Sequence, residues 1–514
     1  MSPFSLIDHP SSTILACIAG FVFAYLVLVD KARARNPLPP GPWSLPFIGN
    51  IPSLIWQHDW ITYTDWYRKY SSLRISSIDI TLTGFLGPDS DIVHVNIAGQ
   101  SMIILNTYEA AKELLEKRGA IYSDRPQLTM PNELVGWKWN FGLMSYGPEW
   151  RARRKLFSTV ISPNHPESYE YQELTAARSF LLDVYKSPES YVQHLRSVSH
   201  FAERMAGSTI LSVAYGFEIE TVKDSIYIGI AERAIAGIIV AGVPSNFLVN
   251  YFPWLKYVPA WMPGASFQLK AQAWRQDMKQ LLYRPFSAVK RQIAEGRTEP
   301  CFVSQCLQNV NGDPEEDKEA EELLSGQAGA DTTVTALITF FLAMVKYPKY
   351  QRKAQEELDR VVGSDRLPDF RDRNSLPYVQ AVVNEVLRWQ PVAPTAVAHL
   401  SSEEDIYKGY RIPKNSIIVG NAWAMLHDER IFHDPYAFNP DRYIRPEGGQ
   451  LHPNGVDDVV FGFGRRICPG KDMALSAIWI TVASVLAVFD ISCALDENGQ
   501  TIDPPVEYGT GKLL

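Results

Sequence analysis

Cysteine is scarce in this sequence: the chain has five in 514 residues (Cys17, Cys301, Cys306, Cys468 and Cys493), an odd number with no disulfide spacing. No N-x-[ST] glycosylation acceptor occurs either, and both absences favour a reducing compartment over a secreted, disulfide-stapled domain. Basic charge is not in excess. Lys and Arg number 49 against 57 Asp and Glu, and the resulting net charge of -8 argues against non-specific nucleic-acid binding. Beyond residue 50 there is no second linker, repeat or low-complexity tract; the polar stretch "NVNGDPEED" at 309–317 is short. A dinucleotide-binding loop is missing too. "FGFGRRICPG" at 461–470 nearly spells G-x-G-x-x-G, but Ile467 stands where the third glycine belongs, and the run lies near the end of the chain instead of early in a βαβ unit.

What is present starts at the N-terminus. Thr13 to Val29 are 17 uncharged, mostly apolar residues, which as a helix reach about 25 Å. Lys31, Arg33 and Arg35 follow this run and no basic residue precedes it. That asymmetry predicts a retained transmembrane anchor at 13–29 with residues 1–12 in the lumen and the rest of the chain in the cytosol. Residues 30–50, basic and then proline-rich ("NPLPPGPWSLPFIGN"), read as a stiff spacer. From residue 51 to 514, with 46% apolar residues in the whole chain, the pattern is mainly helical, as in "KYQRKAQEELDRVV" at 349–362. Short strands are expected at 91–106 and 406–421, where glycine and proline break the apolar runs. The expected fold is one large, mainly α domain with a minor β-sheet region, preceded by one transmembrane helix.

Cys468 then stands out by its surroundings. A long apolar helix pattern begins just after Gly470, so the thiol sits in a loop at a helix N-terminus, where thiolate is favoured. The flanking glycines allow close approach of a flat group, and Arg465 and Arg466 can bind carboxylates. Taken alone, a cysteine is most often a small buried hydrophobe. A thiolate beside room for a planar group and an anion-binding arginine describes an axial ligand to haem iron.

These ten residues resemble the signature of the cytochromes P450, F-x-x-G-x-R-x-C-x-G, through Phe461, Gly464, Arg466, Cys468 and Gly470. The resemblance spans nearly the whole chain and is to membrane-bound fungal enzymes of secondary metabolism, of the O-methylsterigmatocystin oxidoreductase type. It implies haem b held by Cys468. Other segments match in family order. Glu385 and Arg388 resemble the E-x-x-R helix, a spacing that by itself is common on helix surfaces, and Arg442 in "FNPDRY" would complete a Glu-Arg-Arg network that serves folding and haem retention. Trp150 and Arg154 resemble the W-x-x-x-R helix that contacts a haem propionate, and His399 stands where a second propionate ligand is usual, although a lone histidine is often merely structural. "AGADTT" at 328–333 reads alone as a helix cap; the resemblance makes it the oxygen-activating motif, with Asp331 and Thr332 delivering protons and Ala328 and Gly329 giving room for dioxygen.

The resemblance implies a monooxygenase that inserts one atom of O2 into a lipophilic small molecule, such as a terpenoid or polyketide, at the endoplasmic reticulum membrane. Electrons are expected from a separate NADPH-cytochrome P450 reductase, with cytochrome b5 as a further donor. Arg151, Arg153, Lys155, Arg465 and Lys471 are the expected basic docking patch for that partner. Pocket walls are expected from 126–142, 241–252, 324–328 and 391–398, mostly apolar segments. The stretch before Ala328 and the end at "VEYGTGKLL" both look shorter than the family pattern. Two other functions fit a haem-thiolate site: an isomerase or dehydratase that needs no oxygen, and a non-catalytic haem sensor. The Asp331/Thr332 pair and the basic patch speak for oxygenation.

Overall fold

A computed structural model describes residues 20, 36–53, 58–71, 90–161, 164–186, 195–219, 226–242, 246–297, 301–308, 330–444, 456–495 and 498–504 of the chain. Of the expected anchor, all but Gly20 lie outside these residues, as do Ala328, Gly329, the stretch before them and the last ten residues. The principal helices are α1 (Asp59–Ser71), α2 (Pro148–Val160), α3 (Glu170–Lys186), α4 (Leu195–Tyr215), α5 (Ile226–Gly242) and α6 (Ser266–Ala294). They continue with α7 (Ala330–Lys346), α8 (Pro348–Val361), α9 (Pro377–Trp389), α10 (Val456–Phe461) and α11 (Lys471–Val488). The mainly helical expectation holds.

Apolar content decides which helices are central. α11 is apolar around most of its circumference, and a helix without a polar face is stable only when enclosed. Ile478, Trp479, Ile480, Val482 and Val485 are accordingly buried, and they meet Leu337, Phe340 and Met344 of α7 in the largest core. By length and composition α11 is the one candidate membrane span among the described residues, yet more than half of it is buried inside the protein. α3, α8 and α9 pack around α11, and α4 covers α7.

The minor sheet forms at both expected places. β1 (Ile92–Ile97) and β2 (Gln100–Leu105) make an antiparallel hairpin through Ala98 and Gly99, both in the left-handed region. β3 (His399–Leu400), the two-stranded pair β4 (Asp405–Tyr407) with β5 (Tyr410–Ile412), and β6 (Ile417–Gly420) follow, and the larger sheet runs β1-β2-β6-β3. The proline-rich stretch makes contacts that its composition does not announce. From Pro37 on it packs as part of the body: Pro37 O accepts from Arg411 N (2.9 Å), Pro40 O from His94 N (3.0 Å), and Gly49 bridges to Ile97. Proline keeps its carbonyl although it lacks a donor, so such a segment can still line a strand edge.

Candidate haem-thiolate site

The loop between α10 and α11 is shaped by glycine. Gly462 and Gly464 have φ of 84° and 58°, a region costly for residues with a side chain. Gly464 also lies against the Leu115 carbonyl and the Glu116 Cα of the helical segment Lys112–Lys117, which leave no space for a Cβ. Cys468 N donates to Phe461 O (2.7 Å), closing the loop, and α11 opens with Ala474 N donating to Gly470 O (2.8 Å). Gly470 is unlike Gly464. Its φ is -92° and a Cβ there would meet no protein atom within 4 Å, so nothing in the polypeptide demands glycine and the space beside it is open.

Cys468 is half-buried at this helix start. Helix polarity alone would lower its pKa, but burial wins and pushes the thiol up, against the pull of the Gly470 amide and the Arg154 guanidinium. At this helix start burial outweighs helix polarity, and the thiol lies above its ordinary range where the sequence suggests a lowered one.

Four cationic or potentially cationic side chains gather next to the loop. Arg466, 8% exposed, donates to Ser123 O (2.7 Å), Phe141 O (3.1 Å) and Met144 O (2.7 Å), with its guanidinium carbon 4.5 Å from the centre of the Trp150 ring. Trp150 and Arg154 lie one turn apart on α2, so they share a face; Trp150 is buried and Arg154 donates to Ile467 O (2.7 Å). His399 is buried at the start of β3, its Nδ1 2.6 Å from Tyr122 O. A carbonyl only accepts, so Nδ1 carries the hydrogen. Burial, with Arg125 next, holds His399 well below the ordinary histidine range, so the neutral ring has no second N–H for a carboxylate.

Arg125 was not anticipated. It is 6% exposed and donates to Gly142 O (3.1 Å), Val397 O (2.6 Å) and Ala398 O (2.9 Å). Burial first, and then Arg466, depress it to about 9; burial depresses Arg466 to about 10. Arg154 is lowered by burial as well. Guanidiniums pressed together out of water, with Asp124 the carboxylate acting on both Arg125 and Arg466, lack negative charge. Haem carries two carboxylates, so the donor set fits it. "SDRP" in the sequence offered no signal beyond an arginine beside a proline.

The Glu-Arg-Arg network forms as a separate cluster. Glu385 and Arg388 of α9 are both fully enclosed and paired through two hydrogen bonds, Nε to Oε2 (2.7 Å) and Nη2 to Oε1 (2.8 Å). Arg442 Nε reaches Glu385 Oε1 at 3.1 Å, and Arg388 also donates to Leu426 O (2.9 Å) and Pro435 O (2.8 Å). One carboxylate serving two arginines locks the 426–442 loop onto α9. Asp331 and Thr332 lie in the first turn of α7, and Thr332 is exposed.

The expected basic patch is smaller than five residues. Arg153 faces inward, 7% exposed, and donates to Trp139 O (2.7 Å) and Glu149 Oε1 (2.8 Å), because two residues, about half a turn of α2, separate it from the exposed Arg151 and Lys155. Lys471 is ion-paired to Asp457 at 3.3 Å. Arg151, Lys155 and Arg465 are exposed.

Comparison with known proteins gives the family. The cytochrome P450 family model matches residues 39–511. The chain is 40% identical to cytochrome P450 monooxygenase 98 of Postia placenta, over 98% of this chain and 93% of that one. It is 41% identical to a cytochrome P450 monooxygenase of Armillaria gallica over 97% and 94% of the two chains, and 36% identical to the tryptamine 4-monooxygenase of Psilocybe cyanescens over 97% and 95%. With a match across nearly the whole chain and a glycine-shaped cysteine loop ringed by anion-seeking arginines, this chain belongs to the cytochrome P450 family of oxidoreductases, which bind haem through a cysteine thiolate.

Proposed function

We propose that the protein is a monooxygenase that places one atom of O2 in a lipophilic small molecule, a fungal secondary metabolite of terpenoid or polyketide type, with Cys468 as the axial ligand of haem b. The observation that carries this reading is the cluster of Arg125, Arg154 and Arg466, buried short of negative charge beside the Cys468 loop. Haem bound there supplies iron on which O2 is reduced with two electrons and two protons, and thiolate donation favours O–O cleavage. Arg125, Arg154, Arg466 and Trp150 would hold the carboxylates of the group, His399 would line the site from β3 through its bond to Tyr122 O without donating to a carboxylate, and Gly470 would leave room beside the loop. Phe461, through its carbonyl, and Gly464 fix the loop. Asp331 holds a proton for delivery and the Thr332 hydroxyl orients the donor. Glu385, Arg388 and Arg442 keep the fold around the group and stay out of the chemistry.

Support for the pocket's character comes from its candidate walls, where Met130, Val135, Trp137, Phe247 and Val249 form one apolar cluster. Arg151, Lys155 and Arg465 form the docking patch for a separate NADPH-cytochrome P450 reductase, with cytochrome b5 as a second donor. Residues 13–29 anchor the chain in the endoplasmic reticulum membrane with the body cytosolic. Trp43, Phe47, Trp254, Tyr257 and Trp261, each more than 60% exposed, suit contact with the headgroup layer. Tyr251 packs beside Ile51 and Tyr63, which draws these two stretches together. Membrane fractionation of the chain without residues 1–30 reads the anchor assignment.

The test is to measure NADPH, hydrogen peroxide and hydroxylated product together with added reductase. Thr332→Ala is expected to keep NADPH consumption while product falls and peroxide rises, and Asp331→Asn to slow oxygen consumption itself. Unchanged coupling in both variants would remove the proton-delivery roles; turnover independent of oxygen would contradict monooxygenation.

A further inference from the structure

Asp124 stands next to the unanticipated arginine of the site and touches three segments at once. Its Oδ1 accepts from Arg125 N (2.8 Å) and from Tyr146 N (3.0 Å). Its backbone carbonyl accepts from Leu400 N (2.9 Å), in a bridge to β3. The side chain is half-buried.

The segment that Oδ1 reaches is the one on which the arginines are hung. Residues 141–146, between the helical turn Trp137–Trp139 and α2, form no helix or strand, so bonds and packing from outside the run hold it. Its carbonyls serve two guanidiniums: Gly142 O takes Arg125 Nε (3.1 Å), while Phe141 O and Met144 O take Arg466 Nη1 (3.1 Å) and Nη2 (2.7 Å). Gln127 Nε2 adds a bond to Leu143 O (3.2 Å). The far end presents an amide instead. Tyr146 N is a donor that no arginine can satisfy, and Asp124 supplies the acceptor just before α2 opens at Pro148 and carries Trp150 and Arg154 inward.

On the opposite side the same residue closes a seam with β3. Arg125 Nη1 donates to Val397 O and Ala398 O, His399 Nδ1 meets Tyr122 O, and Leu400 N to Asp124 O continues the row. Arg125 Nη2 makes no hydrogen bond among the described residues, which leaves it for a carboxylate from outside the chain. We propose that Asp124 is the positioning residue of the arginine cluster: by joining the Arg125 amide to the Tyr146 amide through one oxygen, it holds the carbonyls of residues 141–144 where they orient Arg125 and Arg466 toward the carboxylates of haem. The role toward haem rests on the function proposed above, and the link between the two amides rests on geometry alone.

Asp124→Ala removes the acceptor, whereas Asp124→Asn keeps an amide oxygen with two lone pairs for the two N–H groups. Haem release from each full-length holoprotein to an excess of apomyoglobin is measured, with far-ultraviolet circular dichroism as the check on folding. The alanine variant is expected to release haem about tenfold faster, as loss of a hydrogen bond to a charged group implies, and the asparagine variant to stay within about twofold of wild type. Release from Asp124→Ala at the wild-type rate would overturn the proposal. Equal acceleration in both variants would overturn it too, because charge and not position would then govern. Should Asp124→Ala not fold, Asp124→Glu decides: it keeps the charge but carries it one methylene farther out, so faster release is expected and an unchanged rate contradicts the role. Hydrogen exchange reads the link without reference to haem. The Tyr146 amide is expected to exchange faster in Asp124→Ala and at the wild-type rate in Asp124→Asn; equal exchange in all three proteins contradicts the link. A wild type that takes up no haem would defeat the function proposed above and the role toward haem with it, while the Tyr146 amide still decides the link.

Discussion

Two glycines in one ten-residue loop do different work, and substitution separates them. An alanine at Gly464 must take φ near 58° and push its Cβ into the backbone of Leu115 and Glu116. The left-handed conformation costs about 1–2 kcal/mol and the collision adds to it, so Gly464→Ala is expected to lose at least about 2 kcal/mol of stability. Gly470→Ala meets neither obstacle and is expected to fold normally while holding less haem. Denaturant titration beside haem content tests both; equal stability loss in the two variants would contradict the distinction. Residue type and spacing made Cys468 and its glycines legible before any coordinates. They could not show that burial would raise the thiol's pKa, that Arg153 would turn inward to Trp139 O, or that Arg125 would join the site, since each depends on which distant backbone packs alongside.

At the scale of elements, α9 and the 426–442 loop depend on charges kept dry. Breaking a buried pair such as Glu385 with Arg388 costs about 3–5 kcal/mol, because one charge is left without a partner. His427 sits beside this network, stacked on Trp423 with ring centres 3.9 Å apart, and burial, followed by Arg388, lowers it to about 3. His94 at the β1 edge is lowered to about 4, again mainly by burial. Both are neutral when folded and take up a proton when unfolded below about pH 6.5, so the stability they confer is present above that pH and is lost as pH falls toward the folded values. The denaturation midpoint should drop between about pH 7 and pH 5, with a slope smaller by about one proton in His427→Asn. An identical slope would show that His427 is protonated in the fold. The E-x-x-R spacing pointed to the ion pair, but the carbonyls of Leu426 and Pro435 that complete the Arg388 cage come from loop closure and leave no periodic trace.

Across the whole molecule, apolar patterning made the mainly helical class, the helix at 349–362, the one after Gly470 and both strand regions legible because each buries a continuous face, while the helices between Glu170 and Ala294 were not placed individually. Proline content reports the stiffness of the segment from Pro37 to Asn50 but says nothing of the strand edge it lies on, so these contacts with the body were not legible in the sequence. In the function proposed here, the core helices α7 and α11 and the arginine cluster would together present Cys468 to haem iron. The most direct test is the reduced carbon-monoxide difference spectrum of the full-length chain in membranes, recorded beside Cys468→Ala. The account predicts a band at about 450 nm in the wild type and none in the variant, with the variant still folded. A variant that keeps the band, or a folded wild type that takes up no haem, would contradict it.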